Sequence, residues 1–118
     1  QAGLKTGIAT SAPFANMELI AGKLDLFPHL ESALASEQVS KHKPDPEVYL
    51  KSAANMSLTP DRCLVFEDSF SGVSAAKNAG MKVVAVLSSH QKSDLPPCDW
   101  YIEDYSEIRP DLIHQLIP

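Results

Sequence analysis

The sequence predicts an α/β fold, in which the strands of a parallel sheet alternate with crossover helices. Three short apolar runs carry this prediction, and they lie at Thr6–Thr10, Cys63–Phe66 and Lys82–Leu87. Segments with helical periodicity or helix-start residues separate the runs, which is the order expected of strand–helix–strand units. The length of 118 residues predicts a single domain over residues 1–118.

The composition is that of an ordinary globular domain, with 44% hydrophobic and 21% charged residues. The net charge of −5 argues against a nucleic-acid partner, because no basic stripe would offset phosphate repulsion. No apolar run approaches the roughly 20 residues that span a bilayer, and no signal-peptide pattern opens the chain. Cys63 and Cys98 match no metal spacing. From the cysteines we expect a reducing, cytoplasmic setting. From the lack of a spanning apolar run we expect no membrane partner.

The first half of the chain is expected to contain two strands and a helix. Thr6–Thr10 is predicted to be a buried strand, and Pro13 suits the first turn of a helix that runs to about Gly22. Leu30–Ala35 is a shorter and weaker strand candidate. Glu37–Lys43 is polar and is expected to be a loop.

The second half repeats the strand–helix order. Asp45 and Pro46 predict a helix start, with the aspartate as N-cap and the proline as the first helical residue. The remaining predicted elements are a turn at Thr59-Pro60, the strand Cys63–Phe66, a helix from Ser71 to Ala79 that ends at Gly80, the strand Lys82–Leu87, a loop over Ser88–Pro97, the strand Trp100–Ile102, and a helix over Ser106–Ile117 interrupted at Pro110.

Two candidate phosphate-binding features precede predicted helices, on the side where open α/β sheets bind ligands. Thr10 and Ser11 follow the first strand, so a hydroxyl and backbone N–H groups could cradle a phosphate there; helix capping by Ser11 is the alternative. Lys43 precedes two prolines that restrain its backbone. Its ammonium could neutralise a phosphoryl group and a carboxylate together. The alternatives are an ordinary solvated lysine, or Lys41 in the same role.

The adjacent acids Glu67 and Asp68 form a third candidate site, directly after a buried strand. Burial there costs charge solvation, which a divalent cation would offset. Mg²⁺ favours one or two carboxylates together with water and substrate phosphate. The alternative is that Asp68 or Ser69 caps the following helix, and both readings are compatible. Gly72 would let the helix backbone approach the site closely.

Together and in this order, these features resemble the haloacid dehalogenase superfamily of phosphohydrolases, in the branch of β-phosphoglucomutase and phosphoglycolate phosphatase. Gly7–Ser11 is similar to the second motif of that family, Lys43–Pro46 to the third, and Phe66–Ser69 with Gly72 and Val73 to the fourth. The resemblance covers nearly the whole chain. It implies a Rossmann-like, three-layer parallel sheet with flanking helices, which we expect to be incomplete.

The resemblance also implies a reaction and the residues that take part in it. The family carries out Mg²⁺-dependent phosphoryl transfer through an aspartyl-phosphate, here on a small phosphorylated metabolite such as a sugar phosphate. Thr10 would hydrogen-bond the phosphoryl oxygen, assisted by the backbone N–H of Ser11. Lys43 would bridge the phosphoryl group and the nucleophile. Asp68 would coordinate Mg²⁺, and Glu67 would ligate it directly or through water.

The first motif of the family, D-x-D-x-T/V with the nucleophile, is absent from this sequence. The helical cap that follows it in this branch is also absent. In the family that the chain resembles, the nucleophile strand lies between the strands of the second and fourth motifs, so the resemblance implies a gap in the sheet. We hypothesise that the chain is the C-terminal portion of a longer phosphatase, or half of a split protein, and inactive alone. A phosphomutase of the β-phosphoglucomutase type, and a non-catalytic module that completes a partner chain, are the alternatives.

Overall fold

A computed structural model describes residues 5, 7–9, 32–88, 90–103, 105–108 and 110–117. Five strands lie within these ranges: β1 (Gly7–Ala9), β2 (Ser32–Leu34), β3 (Leu64–Glu67), β4 (Lys82–Val86) and β5 (Trp100–Ile102). Three α-helices accompany them: α1 (Glu47–Asn55), α2 (Phe70–Asn78) and α3 (Pro110–Leu116). Short 3₁₀ helices occur at Ser36–Gln38, Pro60–Arg62, Lys92–Asp94 and Tyr105–Glu107. The helix predicted from Pro13 to Gly22 lies outside the described residues.

The described strands form two parallel sheets. β1 pairs with β2, with Ile8 opposite Ala33. β4 lies between β3 and β5, and its Val84 is opposite Phe66 on one side and Trp100 on the other. Within the described ranges, β1 and β3 share no strand pairing. The expected interruption between the strands of the second and fourth motifs is therefore present in the described part of the sheet.

Alternation along β4 directs its side chains to two separate faces of the sheet. Val83 belongs to a buried cluster formed with apolar side chains of α1 and α2, among them Val48, Ala53, Val73 and Ala76. Val84 and Val86 face the other way and pack with Ile102 and with Leu112 and Leu116 of α3. Helices thus cover both faces of the β3–β4–β5 sheet, and the predicted three-layer α/β fold is confirmed.

Several element boundaries differ from the prediction: α2 spans Phe70–Asn78, β4 ends at Val86, and α3 begins at Pro110, after the 3₁₀ helix Tyr105–Glu107. Two further differences lie next to the predicted site residues. Helix α1 begins at Glu47, and Pro46 is its N-cap rather than its first residue. The reason is a turn before the helix, which the Asp45 N–H closes by donating to the His42 carbonyl oxygen at 3.0 Å. The predicted capping role of Asp45 is retained in part, since its carboxylate accepts from the Glu47 N–H at 3.0 Å. Strand β3 extends through Glu67, which pairs with Ala85.

The two described cysteines are free thiols. Cys63 is buried in the helix-facing core, and Cys98 is half-buried. Burial raises the pKa of the Cys63 thiol, and the nearby Asp61 carboxylate adds to this. Burial also raises the pKa of Cys98. In the ranges that the structure covers, none of the helices has the length and apolar character needed to cross a membrane.

Candidate active site

The loop that carries Lys43 is tied to the first turn of α1 by the Glu47 carboxylate. The backbone N–H groups of Ser40 and Lys41 donate to it, the latter at 2.7 Å. Lys51, one helical turn later, lies 3.1 Å from Glu47 Oε2. The pKa of Glu47 is lowered to about 2, mainly by the hydrogen bonds from the Ser40 and Lys41 backbone N–H groups and to a smaller extent by Lys51. The carboxylate is therefore ionised at neutral pH and holds the loop against the helix.

The Lys43 ammonium lies between the ends of β1 and β3. It donates to the carbonyl oxygen of Ala9, the last residue of β1, at 3.3 Å. It also donates to Oε2 of Glu67, the last residue of β3, at 2.5 Å. The exposed fractions of the Lys43 and Glu67 side chains are 8% and 9%. Lys43 therefore spans the interruption between the two sheets at their carboxyl edge, and the alternative of a solvated lysine is wrong.

The strand pleat directs Glu67 toward the helices α1 and α2. Glu67 and Val65 lie on the same face of β3, because side chains alternate along a strand, and Val65 packs in the helix-facing core. The Tyr49 hydroxyl, on α1, donates to the same Oε2 that Lys43 contacts. On the α2 side, a Cβ added to Gly72 would overlap the Glu67 carboxylate. The predicted close approach of the helix backbone at Gly72 is therefore confirmed.

Asp68 leaves the strand and begins the connection to α2. Its side chain is partly exposed and has no hydrogen-bond or ion-pair partner within the described part of the chain. Its carbonyl oxygen lies 2.9 Å from Nδ1 of His90. Ser69 is the N-cap of α2, where its hydroxyl accepts from the Gly72 N–H at 3.1 Å. Of the two capping candidates, Ser69 fills the position, which leaves the Asp68 carboxylate available to a ligand.

The two acids fit the hard cation that the sequence resemblance implies. Mg²⁺ prefers oxygen ligands and binds through one or two carboxylates, with water and phosphate completing its coordination. Glu67 already holds a cationic group in a buried setting, and the Asp68 carboxylate is unengaged among the described residues. Over those same residues, no group of three or more His, Cys, Asp or Glu side chains comes together. The described residues thus supply two carboxylates to such a site.

The structure brings together part of the predicted site. Lys43 and Glu67 are in contact, and Asp68 directly follows Glu67. Thr10 and Ser11 lie outside the described residues, although the neighbouring Ala9 is in contact with Lys43.

Sequence reasoning missed two residues that shape the site. Neither Tyr49 nor Glu47 was identified as a site residue from the sequence. A usable signal existed for Tyr49, which lies six residues after Lys43 in the first turns of the helix that the lysine motif opens. For Glu47, the i, i+4 spacing to Lys51 indicates an ion pair, but no pattern in the sequence indicates its hydrogen bonds with the backbone N–H groups of Ser40 and Lys41.

A comparison with protein-family models decides the family. The model described as haloacid dehalogenase-like hydrolase matches residues 1–86. The chain belongs to the haloacid dehalogenase-like hydrolases. The sequence resemblance to this superfamily is thereby confirmed.

Individual relatives of this haloacid dehalogenase-like chain include Protein CbbY of Rhodobacter capsulatus, which is 36% identical over 121 residues. That match covers 97% of this chain and 52% of the relative. The phosphorylated carbohydrates phosphatase of Thermotoga maritima is 39% identical over 79 residues, or 67% of this chain and 37% of the relative. The chain therefore spans about half, or less, of the length of these relatives.

A solved structure shows the same architecture. The haloacid dehalogenase hydrolase of family IA, variant 3, from Entamoeba histolytica superposes with a TM-score of 0.83 and 26% sequence identity. The superposition covers 94% of this chain and 52% of that structure. The chain thus has the fold of roughly half of a haloacid dehalogenase-like hydrolase.

Proposed function

We propose that this chain contributes the phosphate-binding and metal-binding edge of a Mg²⁺-dependent phosphatase that acts on a small phosphorylated metabolite such as a sugar phosphate. The observation that carries the proposal is the buried Lys43 ammonium, held between the end of β1 and Glu67 at the carboxyl edge of the sheet. A fixed cation in a water-poor setting is suited to the charge of a phosphoryl group. The relative named phosphorylated carbohydrates phosphatase supports the substrate class.

Each residue of this edge then has a role. Lys43 would contact both the transferring phosphoryl group and the attacking carboxylate, while the Glu47 carboxylate holds its loop in place. Thr10 and Ser11 would hydrogen-bond phosphoryl oxygens, as the family resemblance implies. Glu67 and Asp68 would hold Mg²⁺, which when bound neutralises charge that develops on the phosphoryl oxygens.

The aspartate nucleophile remains to be supplied, since the sequence holds no D-x-D-x-T/V motif. We propose that it comes from upstream sequence or from a complementary chain. Residues 1–118 would then be the C-terminal portion of the core domain. The cytoplasmic location and the absence of nucleic-acid and membrane partners stay predictions.

The test is phosphate release from a panel of small sugar phosphates by the protein expressed from its complete coding sequence. We expect release in Mg²⁺ and none after chelation with EDTA. Lys43→Met should lower kcat by about 10²- to 10³-fold, the range for loss of one charge-stabilising group. Lys51→Met, which removes a surface lysine of α1, is the matched control and should keep kcat within about twofold. No release from any ester, or release that is insensitive to EDTA, would contradict the proposal.

A phosphomutase of the β-phosphoglucomutase type is the enzymatic alternative, since it uses the same core with a different cap. In a mutase the phosphoryl group passes to a second sugar hydroxyl instead of water. An isomerised sugar phosphate without free phosphate would therefore favour the mutase.

A non-catalytic module is the alternative of a different class. Mixing this chain with a candidate N-terminal fragment that carries D-x-D-x-T/V separates the two classes. Restored phosphate release supports a split enzyme, whereas an inert mixture supports the non-catalytic module.

A further inference from the structure

Two hydrogen-bond donors from one segment of the chain converge on a single oxygen of Glu67. The Lys43 ammonium reaches Oε2 at 2.5 Å, and the Tyr49 hydroxyl donates to the same atom. Tyr49 is 6% exposed and Glu67 is 8% exposed, so both groups are largely removed from water. A buried carboxylate requires such partners, since desolvation of an unpaired charge costs several kcal/mol.

The other carboxylate oxygen lies against α2. Oε1 of Glu67 occupies the space that a side chain at Gly72 would fill, and it is 3.4 Å from the Ser69 hydroxyl. Rotation of the carboxylate is therefore limited by α2 on one side and by Lys43 and Tyr49 on the other. This arrangement fixes the orientation of the Glu67 carboxylate.

The two donors differ in their freedom to move. Lys43 carries a flexible side chain and already contacts a second acceptor, the Ala9 carbonyl oxygen at 3.3 Å. If Lys43 engages a phosphoryl group, its hydrogen bond to Glu67 is weakened or shared. The Tyr49 ring, by contrast, is packed in the core cluster on the helix-facing side of the sheet, and its hydroxyl points at Oε2.

We propose that Tyr49 is a positioning residue, whose hydroxyl holds the Glu67 carboxylate in its ligating orientation while Lys43 is engaged with the phosphoryl group. This inference rests on the proposed function of the same edge. Partners of this kind orient a metal ligand without touching the metal, and their loss typically lowers metal affinity or activity by about 10- to 100-fold.

The experiment is Tyr49→Phe in the protein expressed from its complete coding sequence, because phenylalanine keeps the packed ring and removes the hydroxyl alone. Tyr101→Phe is the matched control, since the Tyr101 hydroxyl accepts from the Cys98 N–H at 2.9 Å and makes no described contact with Glu67. Mg²⁺ binding is measured by calorimetry, without substrate, and the Mg²⁺ dependence of phosphate release is measured separately.

We expect Tyr49→Phe to raise the Mg²⁺ dissociation constant by about 10-fold or more, and to leave KM for the ester at saturating Mg²⁺ within about twofold. Tyr101→Phe should change neither quantity. An active wild type with unchanged Mg²⁺ binding in Tyr49→Phe overturns the inference and leaves the proposed function standing. Equal losses of Mg²⁺ affinity in Tyr49→Phe and Tyr101→Phe also overturn the inference, because they indicate a general effect of removing a tyrosine hydroxyl. A wild type that binds no Mg²⁺ and hydrolyses no ester overturns both.

Discussion

Lys43 and Glu67 form a buried ion pair, with Nζ 2.5 Å from Oε2, between a loop residue and a strand-end residue 24 positions apart in sequence. Removing two charges from water costs several kcal/mol for each ion, which their attraction and further hydrogen bonds must offset. The Tyr49 hydroxyl supplies one of those hydrogen bonds. The pair connects the two sheets at a point where the described strands β1 and β3 do not pair.

Replacing Lys43 should destabilise the fold through Glu67. Lys43→Met leaves the buried carboxylate without its ion-pair partner, and such a loss costs about 3–5 kcal/mol. We expect the free energy of unfolding at pH 7, measured in urea, to fall by about 3 kcal/mol. Adding Glu67→Leu to Lys43→Met should recover part of that loss, because no buried charge then remains unpaired.

Lys51→Met is the control for this stability measurement. Lys51 also forms an ion pair, 3.1 Å from Glu47, but its side chain is 48% exposed. Exposed pairs contribute about 1 kcal/mol or less, so the unfolding free energy should change little. Similar losses of unfolding free energy in Lys43→Met and Lys51→Met would contradict the importance assigned to the Lys43–Glu67 pair.

Gly72→Ala should disturb the Glu67 carboxylate more than it disturbs the helix. An alanine in place of a helical glycine ordinarily stabilises by about 0.5–1 kcal/mol. Here the added Cβ would overlap the carboxylate, which Lys43 and Tyr49 hold in place. We expect this overlap to cancel the gain in stability that alanine ordinarily gives a helix. We also expect the Mg²⁺ affinity, measured by calorimetry, to fall by about 10-fold or more.

Ser71→Ala is the matched variant for Gly72→Ala. Ser71 is the exposed neighbour of Gly72 on α2, so its replacement changes helix propensity without crowding Glu67. It should leave Mg²⁺ binding unchanged. If Gly72→Ala raises stability and binds Mg²⁺ like the wild type, the described packing of Glu67 against α2 is incorrect.

Glu47 should make stability depend on acid pH. Its pKa is lowered from 4.5 to about 2 in the folded protein. A depressed carboxyl pKa contributes stability that is fully present above about pH 4.5 and is lost as the pH falls toward 2. Urea unfolding is measured from pH 7 to 2.5 for the wild type and Glu47→Gln. The advantage of the wild type, which is the amount by which its free energy of unfolding exceeds that of Glu47→Gln, should be constant above about pH 5 and shrink below it. An advantage that stays constant down to pH 2.5 would show that the carboxylate does not hold the loop.

The strand–helix order could be predicted because apolar runs and helix-start residues are local signals. The short strand Trp100–Ile102 was placed at its observed bounds. The α1 boundary was wrong by one residue because a turn before the helix occupies Asp45. The predicted end of β3 was wrong by one residue, because Glu67 is held in the strand by its pairing with Ala85 of β4, which the local sequence does not show.

Site residues that belong to a sequence motif could be predicted, whereas site residues whose roles depend on tertiary contacts could not. Lys43 and Glu67 were selected from their motifs, and the structure places them in contact. The Tyr49 hydroxyl and the Glu47 carboxylate were missed, because their roles depend on how α1 packs against β3 and on the path of the preceding loop. The sequence places Tyr49 six residues after Lys43, but it does not show the contact between the Tyr49 hydroxyl and Glu67.

Asp68→Asn tests the central claim most directly, namely that the acids after β3 hold Mg²⁺ for phosphoryl transfer. The substitution keeps the shape of the side chain and removes its charge. Asp61→Asn, at an exposed acid before β3, is the control.

The measurement is phosphate release against Mg²⁺ concentration, with unfolding followed in parallel, in the protein expressed from its complete coding sequence. We predict that Asp68→Asn abolishes activity and its Mg²⁺ dependence while the unfolding transition stays where it is in the wild type. Activity that survives Asp68→Asn with an unchanged Mg²⁺ dependence would contradict the metal assignment.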